Sequence, residues 1–96
     1  MAVTITLTQK RPNTSIPFYN ASTDFKALKQ EMIDAGTLID NGGGNNESDL
    51  KRTWSITFTD SDSNLLFEND ARAKSYEDAR GAYNLTNNIL ETITTT

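Results

Sequence analysis

The sequence predicts an α+β fold in which helices cover one face of a four-stranded antiparallel sheet. Two observations carry this prediction: apolar residues alternate with threonine and serine in some segments, and they recur at helical spacing in others. In chain order, the predicted elements are a strand at 2–9, a helix at 23–35, strands at 37–41 and 51–59, a helix at 62–83 and a strand at 88–94. A chain of 96 residues suffices for one hydrophobic core, so we expect a single domain spanning residues 1–96.

Alternation defines the two clearest strands. Every second position holds an apolar side chain: Val3, Ile5 and Leu7 in the first strand, and Trp54, Ile56 and Phe58 in the third. The intervening positions hold hydroxyl groups: Thr4, Thr6, Thr8, Thr53, Ser55 and Thr57. Burying an unpaired hydroxyl costs on the order of 1–3 kcal/mol. We therefore expect the apolar set, including Trp54, to pack beneath the helices, and the hydroxyl set to line the open face.

The helices are recognised by their ends. The first follows Ser22, an N-cap residue, and stops at Gly36, which tolerates a left-handed backbone. The second window opens at Asp60–Ser63, pauses near Asn69–Asp70 and is broken by Asn87–Asn88.

Two connections stand out. Residues 10–22 contain two prolines and form a long irregular segment, in which Phe18 and Tyr19 either anchor the segment or line a pocket. The glycine-rich stretch 41–46 is expected to be a hairpin loop, since glycine adopts positive φ freely. A phosphate-binding loop is the alternative, but it requires a lysine directly after its last glycine, where Asn45 stands.

Composition excludes several kinds of site. The chain has no cysteine and no histidine, which removes thiol chemistry, disulfides and the commonest general base and metal ligand. Its net charge of −4 argues against nucleic-acid and membrane partners. The first residues lack the basic segment of a signal peptide, and no apolar run approaches the ~20 residues of a membrane helix. We therefore expect a soluble, cytoplasmic protein.

One segment resembles part of a calcium-binding loop. Asp60–Asn64 matches the opening of that loop, but Leu65 and Ala71 replace its required glycine and glutamate. We interpret the segment as a helix cap. No other metal or cofactor motif occurs, and no catalytic, cofactor-binding or metal-binding residue is predicted. Tyr76 and Tyr83, seven residues apart, are expected to pack on one helix face with exposed hydroxyls rather than to act as catalytic phenols.

The third strand also resembles the RNA-stacking strand of an RNA-recognition motif. Lys51 and Arg52 precede alternating aromatic residues there, and that family has the same order of elements. Its members, however, place apolar core residues between the stacking aromatics, whereas this chain places Ser55 and Thr57 there. RNA binding is therefore not expected.

The second half of the chain resembles the dimeric α/β-barrel superfamily, which has the ferredoxin-like fold. The segments that carry the resemblance are Thr53–Phe58, Leu66–Asp70, Ala79–Asn84 and Asn88–Ile89. They are similar to small antibiotic-biosynthesis-monooxygenase-like proteins and to uncharacterised proteins from phage and metagenomic sequences. The resemblance implies a homodimer whose sheets face each other to close a barrel, and it implies a pocket between sheet and helices.

These observations predict a small non-enzymatic structural or interaction protein that forms a homodimer. The alternative is a cofactor-independent monooxygenase-like enzyme or a binder of a small hydrophobic ligand. Active members of the superfamily use His, or Trp, Asn and Tyr, around an aromatic substrate. This chain has no His and its Trp54 is expected in the core, so the activity is not carried over. A pocket above roughly 300 Å³ lined by aromatic side chains would favour the alternative.

Overall fold

The sheet is the framework on which the other elements pack. A computed structural model describes the backbone of residues 1–46 and 48–96 and the side chains of residues 1–40 and 48–96. Its elements are β1 (Val3–Lys10), α1 (Thr23–Asp34), β2 (Leu38–Asn46), β3 (Lys51–Phe58), α2 (Ser61–Asn69), α3 (Ala71–Asn87) and β4 (Leu90–Thr95). The strands lie in the order β2-β3-β1-β4 with every neighbouring pair antiparallel. The predicted ferredoxin-like α+β class is confirmed.

The register of β1 against β3 confirms the predicted division between the two faces. Ile5 lies opposite Ile56 and both pack against the buried core. The core joins the sheet to all three helices through Phe25, Leu28, Leu38, Phe58, Phe67, Ala73 and Tyr76. On the other face, the hydroxyl oxygens of Thr4 and Thr57 lie 2.9 Å apart. These two hydroxyls therefore pair with each other across the strands, on the face that the helices leave open.

The helix caps follow the sequence closely. Ser22 Oγ accepts a hydrogen bond from the Phe25 N–H at the start of α1, and Gly36, with φ 79°, follows its end. The predicted pause in the second helix is a complete break, because Asp70 has an extended backbone and caps α3. Helix α3 continues past the predicted end at residue 83 and stops at Asn88, whose φ of 58° is left-handed. Asparagine tolerates this conformation better than most residues.

The expected glycine-rich loop at 41–46 is wrong. The backbone of this segment belongs to β2 and pairs with β3, with register shifts before Asp40 and before Gly44. Backbone pairing needs no side chain, and glycine tolerates the bulges that such shifts produce. The turn falls later, where Ser48 Oγ accepts a hydrogen bond from the Lys51 N–H at 3.1 Å. The phosphate-loop alternative depends on free backbone N–H groups of Gly42–Gly44 in a loop, and the structure places the backbone of this segment in β2 instead.

In the part of the chain that the structure describes, no helix combines the length and apolar character needed to cross a membrane.

Candidate functional site

A cavity of about 170 Å³ lies between the sheet and the helices. Strands β1, β3 and β4 form its floor with Ile5, Leu7, Trp54, Ile56, Ile93 and Thr95. The helices form the opposite wall with Phe25, Lys29, Phe67, Glu68, Tyr76, Glu77 and Arg80. Leu38 and Phe58 fill the same layer at its β2 side. The cavity therefore occupies the part of the interior above β1 and β4 that the core side chains leave unfilled.

The edge strand β4 leaves one side of the cavity open to solvent. Ile93 lines the cavity yet is 50% exposed. Helices α1 and α2 pack against β2 and β3, at the opposite side of the sheet. A small molecule therefore has a route into the cavity past the outer strand.

Trp54 lies on the helix-facing side of the sheet, as predicted, but it is not in the packed core. Its side chain is half-buried and lines the cavity. The guanidinium carbon of Arg52 lies 4.5 Å from the centre of the ring. Arg52 and Trp54 are two residues apart on one strand, so they share a face, and the cation covers the aromatic ring in place of a helix. The expectation that Trp54 is a core residue is wrong for this reason.

Three aromatic rings form part of the wall opposite the sheet. The rings of Phe25 and Tyr76 are stacked with their centres 4.0 Å apart, and Phe67 meets Phe25 edge-on at 5.5 Å. Such interlocked rings have few alternative rotamers in a packed interior. These rings therefore support one another, which limits the rearrangement of this part of the wall.

A buried ionic network lies at the α3–β4 end of the cavity. Arg80 Nε lies 2.8 Å from Glu91 Oε1, and its N–H is not aligned for a hydrogen bond, so this contact is an ion pair. The same carboxylate accepts hydrogen bonds from Gln9 Nε2 at 2.8 Å and from Asn84 Nδ2 at 3.0 Å. The two amide groups thus hold Glu91, and Glu91 holds the guanidinium.

Both amides of the network orient their nitrogen toward Glu91. Their oxygens, Gln9 Oε1 and Asn84 Oδ1, are buried and have no hydrogen-bond partner within the described part of the protein. Turning either amide over would break its hydrogen bond to a buried carboxylate, which is a stronger interaction than a neutral one. The amide orientation therefore follows from the charge of Glu91.

Lys29 reaches the cavity from α1. Its Nζ lies 5.3 Å from the centre of the Phe25 ring. Partial burial lowers the pKa of Lys29, and the nearby charge of Lys26 lowers it further. Lys29 therefore gives up its proton more readily than a solvated lysine does.

The remaining sequence-predicted positions have structural roles. Asp60 Oδ1 accepts a hydrogen bond from the Ser63 N–H at 2.8 Å, which confirms the capping interpretation of the calcium-like segment. That hydrogen bond is the main reason why the pKa of Asp60 is lowered. Tyr76 is buried, and the Tyr83 hydroxyl, at an exposed site, donates to the Pro17 carbonyl oxygen, so both tyrosines have packing roles on α3.

Phe18 and Tyr19 anchor the long connection, as the first of the two interpretations predicted. The Tyr19 ring lies 5.8 Å from that of Tyr76 and 5.3 Å from that of Tyr83, measured between centres. Phe18 packs beneath the Arg11 guanidinium at 4.8 Å. Neither residue lines the cavity.

Sequence reasoning missed the ionic network, although a signal for it exists. Gln9 continues the apolar positions of β1 and therefore lies on the helix-facing side, where a polar residue is unusual. Tyr76, Arg80 and Asn84 recur at intervals of four and share one face of α3. Polar residues that interrupt two apolar faces at the same end of a fold are expected to meet, because each needs a buried partner.

Comparison with known proteins finds the fold in several solved structures, while no family model and no curated protein matches the chain. A conserved protein of unknown function from Bacteroides thetaiotaomicron, described as a possible oxidoreductase, superposes with a TM-score of 0.67 at 9% identity, over 99% of this chain and 95% of that one. A conserved protein from Methanosarcina mazei superposes with a TM-score of 0.58 at 13% identity, over 100% of this chain and 92% of that one. Rv0793 from Mycobacterium tuberculosis superposes with a TM-score of 0.53 at 12% identity, over 96% of this chain and 92% of that one. At these identities, the likeness shows a shared fold that spans nearly the whole of each chain.

Proposed function

We propose that this protein binds a small, largely apolar molecule, about the size of one aromatic ring, in the cavity between its sheet and helices. The observation that carries the proposal is a cavity of about 170 Å³ walled by Phe25, Phe67 and Tyr76 and floored by Trp54. An apolar cavity of about 150 Å³ is enough to hold benzene. The cavity is smaller than the roughly 300 Å³ that we set as favouring a monooxygenase-like enzyme or ligand binder, and pockets for drug-sized ligands measure roughly 300–1,000 Å³. The ligand is therefore smaller than those molecules, and the apolar lining supplies most of its binding energy.

Binding without catalysis is the form of the proposal that the lining supports. The buried cation of the cavity, Arg80, is already paired with Glu91, and the two glutamates of the lining, Glu68 and Glu77, are solvent-exposed. The remaining charged group, Lys29, has a lowered pKa but is only half-buried and lies beside the Phe25 ring. These groups orient a ligand rather than supply an activated nucleophile or a buried general acid. The phrase "possible oxidoreductase" belongs to the Bacteroides protein, and 9% identity carries no activity to this chain.

A titration with toluene tests the proposal through Trp54. The chain has a single tryptophan, so its indole N–H gives one NMR signal that reports on the cavity. We expect toluene to shift this signal saturably. The variant Ile56→Phe places a larger ring on the cavity floor and should abolish the shift while the protein stays folded.

The matched control is Ile33→Phe, the same chemical change at an exposed position of α1 that does not line the cavity. It should bind toluene like the wild type. If the shift never saturates, or if Ile56→Phe and Ile33→Phe bind equally, the cavity is not a binding site.

We also propose that two copies of the chain pack through the open sheet face. This face carries Thr and Ser side chains whose hydroxyls pair internally, as in Thr4–Thr57 and Thr8–Thr53 at 3.3 Å. Because these hydroxyls already have partners, less hydrogen bonding to water is lost when another surface covers them. The same face also carries Leu90, which is 70% exposed and lies opposite Lys10. Solution mass over a dilution series tests this proposal.

A further inference from the structure

We infer that the ligand of the cavity carries an uncharged oxygen acceptor, a ketone or amide carbonyl, which accepts a hydrogen bond from Nη1 of Arg80. This inference rests on the proposed function, because it names the chemical class of molecule that the same cavity selects. It specifies the polar group that accompanies the apolar body already proposed.

The hydrogen bonds of Arg80 show which of its N–H donors remains available to a ligand. A guanidinium has five N–H donors on three nitrogens. Nε lies against Glu91 Oε1 at 2.8 Å, and Nη2 donates to Glu91 Oε2 at 3.4 Å. Nη1 has no hydrogen-bond partner among the described residues. A donor of a buried cation is therefore left for something outside the chain.

The side chain that carries this donor lies at the cavity. The Arg80 side chain is only 9% exposed and forms part of the cavity wall. Nη1 is not among the buried atoms that lack a partner, so solvent reaches it while the cavity is empty. A molecule that fills the cavity displaces that solvent: an oxygen presented to Nη1 replaces the lost hydrogen bond, whereas a hydrocarbon of the same shape leaves a charged donor unpaired.

The Arg80 guanidinium is held in place before a ligand binds. Glu91 is held by the amide groups of Gln9 and Asn84, and the Arg80 guanidinium lies 5.0 Å from the centre of the Tyr76 ring. The donor is thus fixed by an ion pair on one edge and by an aromatic ring beside it. Little conformational entropy is lost when a ligand accepts its hydrogen bond.

The charge balance determines that the acceptor is neutral. The cavity lining carries two cations, Lys29 and Arg80, and two anions, Glu68 and Glu77, while Glu91 adds a third negative charge directly behind Arg80. A carboxylate ligand therefore meets no net positive charge, yet it must still lose its hydration to enter an apolar cavity. A carbonyl oxygen accepts the same hydrogen bond at a much smaller desolvation cost.

The test compares three one-ring molecules of nearly equal shape: acetophenone, α-methylstyrene and benzoate. They differ in the group beside the ring, which is a carbonyl, a C=CH₂ group or a carboxylate. The Trp54 indole N–H signal gives a dissociation constant for each. One hydrogen bond to a charged group corresponds to about a tenfold gain in affinity or more. We expect acetophenone to bind about tenfold more tightly than α-methylstyrene, and benzoate to bind most weakly.

The variant Arg80→Lys separates this hydrogen bond from the apolar contacts. Lysine retains a positive charge for Glu91 but lacks the second edge of the guanidinium. In this variant, acetophenone should bind about as weakly as α-methylstyrene, whose own affinity should be the same as for the wild type. The matched control is Arg72→Lys, on the same helix, where the arginine pairs with Asp70 and Glu31 away from the cavity. The Arg72→Lys variant should still bind acetophenone about tenfold more tightly than α-methylstyrene.

A wild-type measurement keeps the inference testable if Arg80→Lys does not fold. Acetophenone should shift the Arg80 guanidinium nitrogen signals, and α-methylstyrene should not. Equal affinity for the ketone and the hydrocarbon would overturn the inference while leaving the proposed function intact. Tightest binding of benzoate would also overturn it. If neither toluene nor any of the three molecules binds, the proposed function fails and this inference fails with it.

Discussion

At the scale of single residues, the helix-facing side of β3 divides into a packed part and an unfilled part. Phe58 is 0% exposed and meets Phe67 with ring centres 5.1 Å apart. Trp54, four residues earlier on the same face, lines the cavity and contacts Arg52. Alternation identifies both side chains as helix-facing, but it does not distinguish a filled interior from an empty one.

This difference predicts unequal costs of truncation. Phe58→Ala should lower the free energy of unfolding by about 3–5 kcal/mol, because it leaves a void among the core side chains. Trp54→Ala should cost about 1–2 kcal/mol, because the ring is half-buried beside a cavity that already exists. Urea denaturation of the two variants measures both values. Equal losses would place Trp54 in the core after all.

At the scale of elements, the junction of α2 and α3 depends on one carboxylate. Asp70 Oδ1 accepts hydrogen bonds from the Arg72 N–H at 2.8 Å and from Arg72 Nε at 3.1 Å. Arg72 also pairs with Glu31 of α1, so the junction is tied to a second helix. The hydrogen bond from the Arg72 side chain is the main cause of the lowered pKa of Asp70.

The lowered pKa sets the pH range in which Asp70 stabilises the fold. The folded protein holds this carboxylate ionised below its ordinary pKa of 3.8, so the unfolded chain binds more protons there. The stabilisation is complete above pH 3.8 and is lost as the pH falls through the folded pKa. Asp70→Asn should therefore be less stable than wild type at pH 7, and the gap should narrow below about pH 4.

Urea denaturation at pH 7, 5 and 3 measures this dependence. The matched control is Asp78→Asn, on the exposed side of the same helix, which removes no cap and should match wild type at pH 7. A gap between wild type and Asp70→Asn that stays constant down to pH 3 would contradict the role assigned to this carboxylate.

At the scale of the whole molecule, the two sheet faces have opposite characters. The helices cover the apolar face, and within the described residues no other element packs on the hydroxyl face. The proposed pairing of two copies would cover the hydroxyl face and leave the cavity on the other side of the sheet. Ligand binding and self-association are therefore separable properties, to be measured on different variants.

The dimer proposal predicts a mass near twice 10.6 kDa by light scattering across a dilution series. Ser55→Lys, opposite Thr6 in the middle of the hydroxyl face, should shift the protein to monomer, because the new charge loses its hydration in the interface. Thr86→Lys, at an exposed position of α3, is the control and should remain dimeric. A wild-type protein that stays monomeric at every concentration would reject the proposal.

The sequence by itself determined the order of the strands, the faces of β1 and β3, and the ends of α1 at Ser22 and Gly36, whereas it marked Asn69–Asp70 only as a pause in a helix expected to end at residue 83. These features follow from neighbouring residues, through the two-residue repeat of strands, the 3.6-residue repeat of helices and the hydrogen bonds of caps. The length of β2 could not be predicted in this way, because a glycine-rich strand has no side-chain pattern of its own and forms through backbone pairing with its neighbour.

Only the tertiary structure decided that the interior contains a cavity and that Gln9, Arg80, Asn84 and Glu91 meet at its end. Residues 9 and 91 come together through the pairing of β1 with β4, and residue 80 reaches them from a helix packed above the sheet. How fully the space between two layers is filled depends on the summed volumes and positions of side chains from every element around it. That sum has no local signature in the chain, and the candidate site depends on it.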